Sequence, residues 1–417
     1  MATIPTILQI PSGYQAGYYG TVYNVLPQSN SKVFYYQKSG NATRVNKDGI
    51  IETNGSNLPR LDYTNSTCPS LLLEPQSTNK CKFSEYFQYA PISGFWVAYD
   101  STRTSSFSTA PNGATASTKL TRTSLTSTSR LEAVVAMTGG YATETNTASI
   151  YVKNIDSTHF LFRMEMAISS SSYVDASFDF ATKQLTLQSS FAYILKGLKV
   201  DELADGWFRL SMTYQNSGYN QDRFQIAPSN SANRNTVTAN TSVEIWGGQF
   251  ELLDYASAYI ATASNPVTRN LDICYSTTLT SEMNGSKSTF FVDVLAFKGY
   301  SIISATSGNT EGISITYDGS QNRFIISGAG ISSSFINNVD FSQRIKIGIS
   351  FEDNNLKVYY NGVLSATNTS ATYTTNLNNI KFSNGVNSDR FQGNLYDLRF
   401  YNNVILTEAE LIELTTI

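Results

Sequence analysis

The sequence predicts an all-β protein, with two β-sandwich domains of jelly-roll-like type after an irregular N-terminal arm and one short C-terminal helix. Three observations predict it. Charged residues make up 15% of the 417 residues, below the usual quarter or so, while aromatics reach 12%, with 26 Tyr and 23 Phe. Such residues suit pleated, half-buried surfaces, and the abundant Ser, Thr, Asn and Gly suit turns. Short runs of alternating apolar and polar residues recur between Ser/Thr/Asn-rich stretches. Helical periodicity is confined to the end of the chain.

Residues 1–58 read as an arm. Pro5, Pro11 and Pro27 fall among Tyr14, Tyr18, Tyr19, Tyr23, Phe34, Tyr35 and Tyr36, without a regular pattern. A segment this apolar and this irregular builds no core of its own and must lie on something, either a following domain or another protein. Asp48-Gly49 marks a hairpin between Arg44-Val45 and Ile50-Ile51. Residues 59–79 form the join between the arm and the first sandwich. Ser70–Glu74, a compact, largely apolar run between Pro69 and Pro75, reads as a short buried strand with its ends fixed by the prolines.

The first sandwich is expected within residues 59–275. Strands are read at Phe95–Tyr99, Leu131–Met137, Ala148–Lys153, Phe160–Met166, Ser177–Phe180, Gln184–Leu187, Trp207–Tyr214 and Ser242–Glu251, with 100–130 and 215–241 as loops. Phe208, Leu210 and Met212 share one face, opposite Trp207, Arg209 and Ser211. The second sandwich is expected within residues 276–417. Phe341, Ile345, Ile347, Ile349 and Phe351 alternate inward. A turn at Asp353-Asn354-Asn355 precedes Leu356–Tyr360, Asn361-Gly362 makes a two-residue hairpin, and Asn394–Tyr401 is the final strand. Thr407-Glu-Ala-Glu410 is a capping box that opens a helix over Glu408–Leu414.

Composition excludes several function classes. The net charge of −3 gives no basic field to hold nucleic acid. No apolar window is long enough to span a membrane, and Met1-Ala-Thr-Ile-Pro lacks the basic region and apolar core of a secretory signal. Cys68, Cys81 and Cys274 are odd in number and fit no metal spacing, so they read as reduced thiols of a protein assembled in a reducing cytoplasm, with a Cys68–Cys81 bridge as the alternative. The single histidine, His159, lies in a strand-like run, which leaves no His-rich metal site and no basis for a Ser-His-Asp triad. There are no heptads to indicate a coiled coil.

Three stretches carry a family resemblance. One combines Ala42-Thr-Arg-Val-Asn-Lys-Asp-Gly, Pro59-Arg-Leu-Asp-Tyr, Cys68-Pro-Ser-Leu-Leu-Leu-Glu-Pro-Gln and Phe83-Ser-Glu-Tyr-Phe87. A second combines Ala204-Asp-Gly-Trp207-Phe-Arg209-Leu, Val243-Glu-Ile-Trp246-Gly-Gly-Gln249-Phe-Glu251, Ala258-Tyr-Ile-Ala-Thr262 and Val267-Thr-Arg269-Asn. Together they resemble the carbohydrate-binding-module-like sandwich of tailed-phage fibre and appendage proteins, especially those of Bacteroidales phages, including crAss-like phages. The third runs from Val358-Tyr-Tyr-Asn361-Gly362 through Phe391-Gln-Gly393-Asn-Leu-Tyr-Asp397-Leu-Arg-Phe-Tyr401 to Leu406-Thr407-Glu-Ala-Glu410. It resembles the concanavalin A-like or laminin-G-like sandwich, a common fold that serves many functions. Lys80-Cys81 and Ala258-Tyr259-Ile260-Ala261-Thr262 depart slightly from the family pattern.

The resemblance implies a virion structural protein, assembled in the host cytoplasm and displayed on the virion surface; the modest length, the absence of fibrous repeats or a coiled coil and the N-terminal arm favour a head fibre on the capsid. A tail fibre or receptor-binding protein is the alternative, followed by a polysaccharide depolymerase. Residues 1–58 would anchor it to capsid or tail proteins, and its partners would be those proteins and host-surface glycans. A homo-oligomer, dimer or trimer, is expected from exposed aromatic surface and symmetric assembly. No enzymatic role is expected. Glycosidases need two carboxylates flanking a sugar, and Glu165, Asp175, Asp179, Glu244, Glu251, Glu352 and Asp397 match no such signature. Asp397 pairs naturally with Arg399. Sugars stack on aromatic faces, and the loop residues Tyr141, Tyr219 and Tyr300 are the candidate contacts, whereas Trp96, Trp207 and Trp246 sit in strand motifs and read as core. No cofactor is expected. Calcium is the one ion considered, through Asp318 or Asp353, but no dense carboxylate loop supports it and no metal site is assigned.

Overall fold

The computed structural model describes residues 3–11, 21–23, 33–88, 95–136, 145–168, 172–216, 220–297, 300–318, 321–340, 343–383 and 390–417. Within them the protein is all-β, built as two antiparallel sandwiches. In the first, one sheet has the order 101–104, 118–122, 242–251, 145–154, 207–215, 194–202, and faces a sheet ordered 184–191, 173–179, 159–166, 221–229, 130–136, 96–99. Leu131, Ile150, Phe162, Met164, Phe178, Leu210, Met212, Phe224 and Ile245 fill the space between them. Trp96 belongs to this core, whereas Trp207 and Trp246 are buried with Ile51, Tyr151 and Tyr259 on the outer face of the first sheet, so all three tryptophans pack internally as expected.

The second sandwich corrects the expected domain boundaries. It is composite, made from both ends of the chain. Its first sheet runs Val363–Asn368, Asn355–Tyr360, Ile345–Glu352, Ser288–Ala296, Gly393–Asn402, Ser70–Leu73, Arg60–Asp62, with Ile7–Gln9 also paired to Gly393–Asn402. Its second sheet runs Thr21–Tyr23, Val33–Gln37, Ile273–Ser276, Asn379–Lys381, Tyr300–Ser307, Thr310–Asp318, Arg323–Gly328, Ile331–Ile336. Ile7, Phe34, Leu71 and Leu73 enter one core with Phe290, Val292, Ile347, Leu398 and Phe400. The divisions at 58/59 and 275/276 therefore do not follow the sheets. Of the described parts of the arm, Ile7–Gln9, Thr21–Tyr23 and Val33–Gln37 are integral strands of the composite sandwich and Ala42–Val45 with Ile51–Asn54 forms a separate hairpin, and the first sandwich is an insertion between residues 79 and 267. The physical reason is the one that made the arm conspicuous: its apolar residues need a core, and that core is supplied by the distant C-terminal strands.

Local expectations fare better. Ser70–Leu73 is a fully buried strand. Ala42–Val45 pairs with Ile51–Asn54 around Gly49, whose φ is +75°. Asn361 and Gly362 have φ of +47° and +83° and join Tyr360 to Val363, as a two-residue hairpin requires. The C-terminal helix spans Glu408–Thr415, with both halves of the Thr407/Glu410 capping box formed. A one-turn helix at Thr280–Met283 is an addition. Ile345, Ile347, Ile349 and Phe351 point inward, while Phe341 lies outside the described residues. Cys68 is exposed, Cys81 and Cys274 are buried, and all three are free thiols. His159 opens a strand, with Thr158 Oγ1 2.8 Å from its Nδ1.

Within the inserted sandwich, four strands occupy stretches read as loop or left unassigned: Ser101–Thr104, Thr118–Arg122, Ile194–Glu202 and Gln221–Ser229. The first and third are sheet edges, where one flank meets solvent and polar residues are tolerated. Gln221–Ser229 is central, yet polar residues flank Phe224 and Ile226, and the pattern is diluted by buried Asp222, Gln225 and Ser229. Strand Ser242–Glu251 carries one position that only glycine suits. Gly247 has φ +65°, and a Cβ there would meet the Tyr151 ring at 2.7 Å. It sits opposite a break in register between Ser149 and Tyr151, a bulge that lets Tyr151 lie against Trp246.

Asp222 is wholly buried and accepts hydrogen bonds from the Tyr193 and Tyr214 hydroxyls. Burial pushes its pKa up to about 6, and the two hydroxyls only partly offset this. The unfolded value is about 3.9, so the folded state holds its proton longer. This contribution to stability is fully present below about pH 4 and is lost as pH rises through 6. The difference between pH 4 and pH 7 should be about 2 kcal/mol, and Asp222→Asn should remove it. Denaturant titrations of both proteins at the two pH values measure it. Identical pH dependence in the variant would refute the assignment.

Deleting residues 1–40 strips Ile7, Phe34 and Tyr36 from the composite core. Each such side chain contributes about 1.5–3 kcal/mol, and a whole domain has only about 5–15. Calorimetry of the truncated protein should show loss of cooperative melting for the composite sandwich while the inserted sandwich still melts. An unchanged melting profile would mean these strands are dispensable.

Candidate ligand cleft between the sandwiches

The site is built on the outer face of one sheet of the inserted sandwich. Along Trp207–Gln215, the residues that alternate with the core set are Arg209, Ser211 and Thr213. Their partners on the edge strand are Asp201, Lys199 and Gly197, so these side chains share that face. A bulge between Leu195 and Gly197 changes the strand's register beside Lys196. Opposite lies the end of a composite-sandwich strand, Leu295–Phe297, with Tyr317, Asn322, Val339 and Asp340 beyond it.

Between these walls runs a cleft with two chambers. The larger, about 470 Å³, lies between Lys196–Lys199, Thr213, Asp254–Ala256, Phe297, Tyr317 and Asn322. The smaller, about 230 Å³, is lined by Arg44, Asp62, Asn65, Tyr151, Asp201, Arg209, Tyr259, Asn394 and Tyr396. Lys199, Ala256, Leu295 and Phe297 line both, so the chambers adjoin along these residues. Tyr255 and Phe297 meet with ring centroids 4.6 Å apart at 39°, one ring from the connection after the inserted sandwich and one from the composite sandwich.

The charges on these walls are largely engaged. Lys199 Nζ is 2.9 Å from Asp201 Oδ1, and Arg44 Nη2 is 2.6 Å from Glu52. Arg209 donates to Ser149 Oγ at 3.0 Å and lies over the Tyr151 ring. Asp62 accepts from the Val45 and Thr64 backbone amides at 2.9 and 3.1 Å. Asp201 is held below the usual carboxylate range: burial would raise it, but Lys199 and Arg209 outweigh that.

Behind the cleft is a buried ion network. Arg60 Nη1 is 2.7 Å from Glu74 Oε2, and Arg60 also pairs with Asp272. Arg269 Nη2 lies 3.3 Å from Glu74, while the Tyr36 hydroxyl donates to Asp272. These four charged side chains are at most 2% exposed. Burial would raise Glu74, but Arg269 and Arg60 hold its pKa down. Burial would also lower Arg60, and Asp272 and Glu74 keep it charged. Glu74 reaches the cleft wall directly, accepting from the Ala258 amide at 2.8 Å.

Of the candidate glycan contacts, Tyr141 and Tyr219 lie outside the described residues. Tyr300 opens a strand, its backbone opposite Asp318, and its side chain is outside what is described. Tyr255, Phe297 and Tyr396 were not singled out by sequence reasoning, because nothing in their local pattern says that their strand ends face each other across an insertion.

The seven candidate carboxylates have structural partners. Glu165 pairs with Arg163 and Arg223, and Asp175 with Arg234. Asp179 accepts from the Ala181 amide, and Glu244 from Ser108 and Ser117. Glu251 accepts from Ser77, Gln249 and Ser257, Glu352 from Asn355, and Asp397 pairs with Arg399 at 2.6 Å. Asp318 pairs with Arg323, and Asp353 accepts from the Tyr373 amide. Among the described residues, no His, Cys, Asp and Glu side chains cluster as a metal site, and no helix is long and apolar enough to cross a membrane.

No protein-family model matches the chain, and no curated protein matches it. Solved structures give partial likenesses to sandwich domains. A carbohydrate-binding module of family 40 from the Ruminococcus gnavus IT-sialidase, bound to α2,3-sialyllactose, is 16% identical, with 31% of this chain and 83% of that chain covered and a TM-score of 0.27. Domain 4 of AbnA, a Geobacillus stearothermophilus arabinanase, in complex with arabinotriose, is 14% identical, with 39% and 83% covered and a TM-score of 0.27. Domains LG4-5 of the mouse laminin α1 chain are 10% identical, with 68% and 90% covered and a TM-score of 0.26. None of these three is a phage protein, and at such scores they carry nothing about ligand or activity.

The network gives a direct test. Arg269→Met leaves Glu74 and Asp272 sharing one guanidinium in a buried site, which should cost about 3–5 kcal/mol. Guanidinium unfolding measures it, and a loss below about 1 kcal/mol would show that the network is not integral to the fold.

Proposed function

We propose that the protein is a non-enzymatic adhesion protein whose paired sandwiches bind glycans. We place it on the virion of a tailed phage, as a head fibre attached to the capsid, with a tail fibre as the alternative position. The observation that carries the binding reading is the pair of adjoining, partly aromatic-walled chambers between the sandwiches. Ligand sites are typically concave, apolar-walled and edged by a few polar groups, and often lie between domains. The phage placement rests on the sequence motifs at residues 42–49, 59–76, 83–87 and 204–270. The structural partners of all seven candidate carboxylates favour binding over hydrolysis. Weak sites repeated over many copies on one particle would add up to firm adhesion.

Attachment is assigned to the surface of residues 1–58, which also supply strands to the composite sandwich. Antibody-gold labelling and proteomics of purified particles test the placement. The expected result is label on the capsid, label on the tail would support the alternative, and absence from particles would refute both. Incubated with host-surface polysaccharide, the purified protein should bind it without releasing reducing ends. Steady release, abolished by Asp175→Asn or Asp397→Asn, would make it a depolymerase.

A further inference from the structure

We propose that the inter-sandwich cleft takes an uncharged oligosaccharide of more than one sugar ring, held by both sandwiches at once. This rests on the glycan-binding reading and specifies its site and ligand class. The size follows from volume, since two chambers of about 470 and 230 Å³ adjoin at Phe297 and offer more space than one sugar ring fills. The Tyr255–Phe297 pair supplies an apolar platform at the junction of the chambers. Sugar rings present C–H faces that stack on such platforms, while their hydroxyls take hydrogen bonds from side chains of the type that Ser211, Thr213, Asn322 and Asn394 offer along the walls.

The lack of charge follows from the ion pairs. An acidic sugar is normally recognised by cations free to form charge-assisted bonds. Here Lys199 is bound to Asp201, Arg44 to Glu52, and Arg209 lies over Tyr151 near Asp201. Asp254 and Asp340 also line the larger chamber, and each already takes part in an interaction within the fold. A basic ligand fares no better, because Asp62 is committed to backbone amides and Glu74 to two arginines. A ligand that needs no counter-charge suits these walls. Lys196, exposed at the mouth, is the group through which an anionic ligand would reveal itself.

The full-length protein is screened on a panel of neutral hexose oligosaccharides and of sialylated and uronic-acid-containing ones, and the best binder is then titrated by calorimetry. The expected outcome is a neutral oligosaccharide. Phe297→Ala should weaken its binding about tenfold, as loss of a stacking ring worth about 1.4 kcal/mol would. Asn322→Gly, a substitution at an exposed residue with φ +49°, should weaken it a few-fold without disturbing the fold. Raising salt from 50 to 500 mM, or Lys196→Glu, should change affinity by less than about twofold. A strong preference for acidic glycans, with about tenfold loss in salt and in Lys196→Glu, would overturn the uncharged class but leave the adhesion reading intact. Glycan binding unaffected by both Phe297→Ala and Asn322→Gly would overturn the cleft as the site. Absence of binding to every glycan would sink the adhesion reading itself.

Discussion

Everything in this structure depends on the buried network of Arg60, Glu74, Arg269 and Asp272, with Tyr36 at its edge. Two guanidinium and two carboxylate groups in a dry interior are tolerated only because they are balanced and hydrogen-bonded, since each alone would carry a desolvation cost of several kcal/mol. That balance requires four separate segments of chain to arrive together. Arg60 comes from a three-residue strand, Glu74 follows the neighbouring strand, and Arg269 and Asp272 straddle the return from the inserted sandwich. Tyr36 belongs to the second sheet of the composite sandwich. The network thus sits where the chain leaves one sandwich and comes back from the other. Beside it, Ser77–Asn79 and Val267–Arg269 pair as a two-stranded ladder, so the insertion enters and exits side by side.

This geometry explains why the cleft exists. The outer sheet of the inserted sandwich carries Tyr151, Trp207 and Trp246 on its far side, too much apolar surface to leave wet. The 42–54 hairpin covers part of it with Ile51, the loop near Thr109 accepts the Trp207 indole hydrogen bond at 3.2 Å, and Tyr259 covers Trp246. The composite sandwich approaches the rest without sealing it. What remains between them is the groove along Lys199, Tyr255 and Phe297. Its walls belong to different sandwiches, yet Glu74 and Glu251 tie the connecting loop to the strands on either side. The groove is therefore held open in one shape, and a ligand would meet a preorganised surface instead of bearing the entropy of assembling it.

The sequence made some of this legible and concealed the rest for identifiable reasons. Turn chemistry at Asp48-Gly49 and Asn361-Gly362, the capping box at Thr407 and the alternation through Phe208, Leu210 and Met212 are local signals, and local signals survive any topology. The proline-bounded run at Ser70–Leu73 could be read as a buried strand but not assigned a partner. That partner, Leu395 in the opposite strand, is 324 residues from Leu71 along the chain. The same distance hid the role of Ile7 and Phe34, whose apolar character was plain while their core was not. Gln221–Ser229 was hidden differently: Asp222, Gln225 and Ser229 are buried in hydrogen bonds, which to a pattern based on polarity looks like a loop. The cleft was hidden most completely, because Tyr255 and Phe297 become neighbours only after the insertion folds back.

That origin bears on what the cleft can do. The motif at residues 59–76 carries Arg60 and Glu74, and the return segment carries Arg269 and Asp272. In the fold their charges are spent on one another, and Arg60, Glu74, Arg269 and Asp272 are closed to any ligand. The same holds for the seven candidate carboxylates, each tied to an arginine, a hydroxyl, an amide side chain or a backbone amide. A surface whose charges are already satisfied offers a ligand shape, aromatic faces and neutral hydrogen bonds. Such contacts are individually weak and largely independent of salt, which suits attachment through many copies better than tight single-site capture. The network that makes the fold possible therefore also limits the chemistry left over for binding, and that remaining chemistry is what the proposed neutral glycan would use.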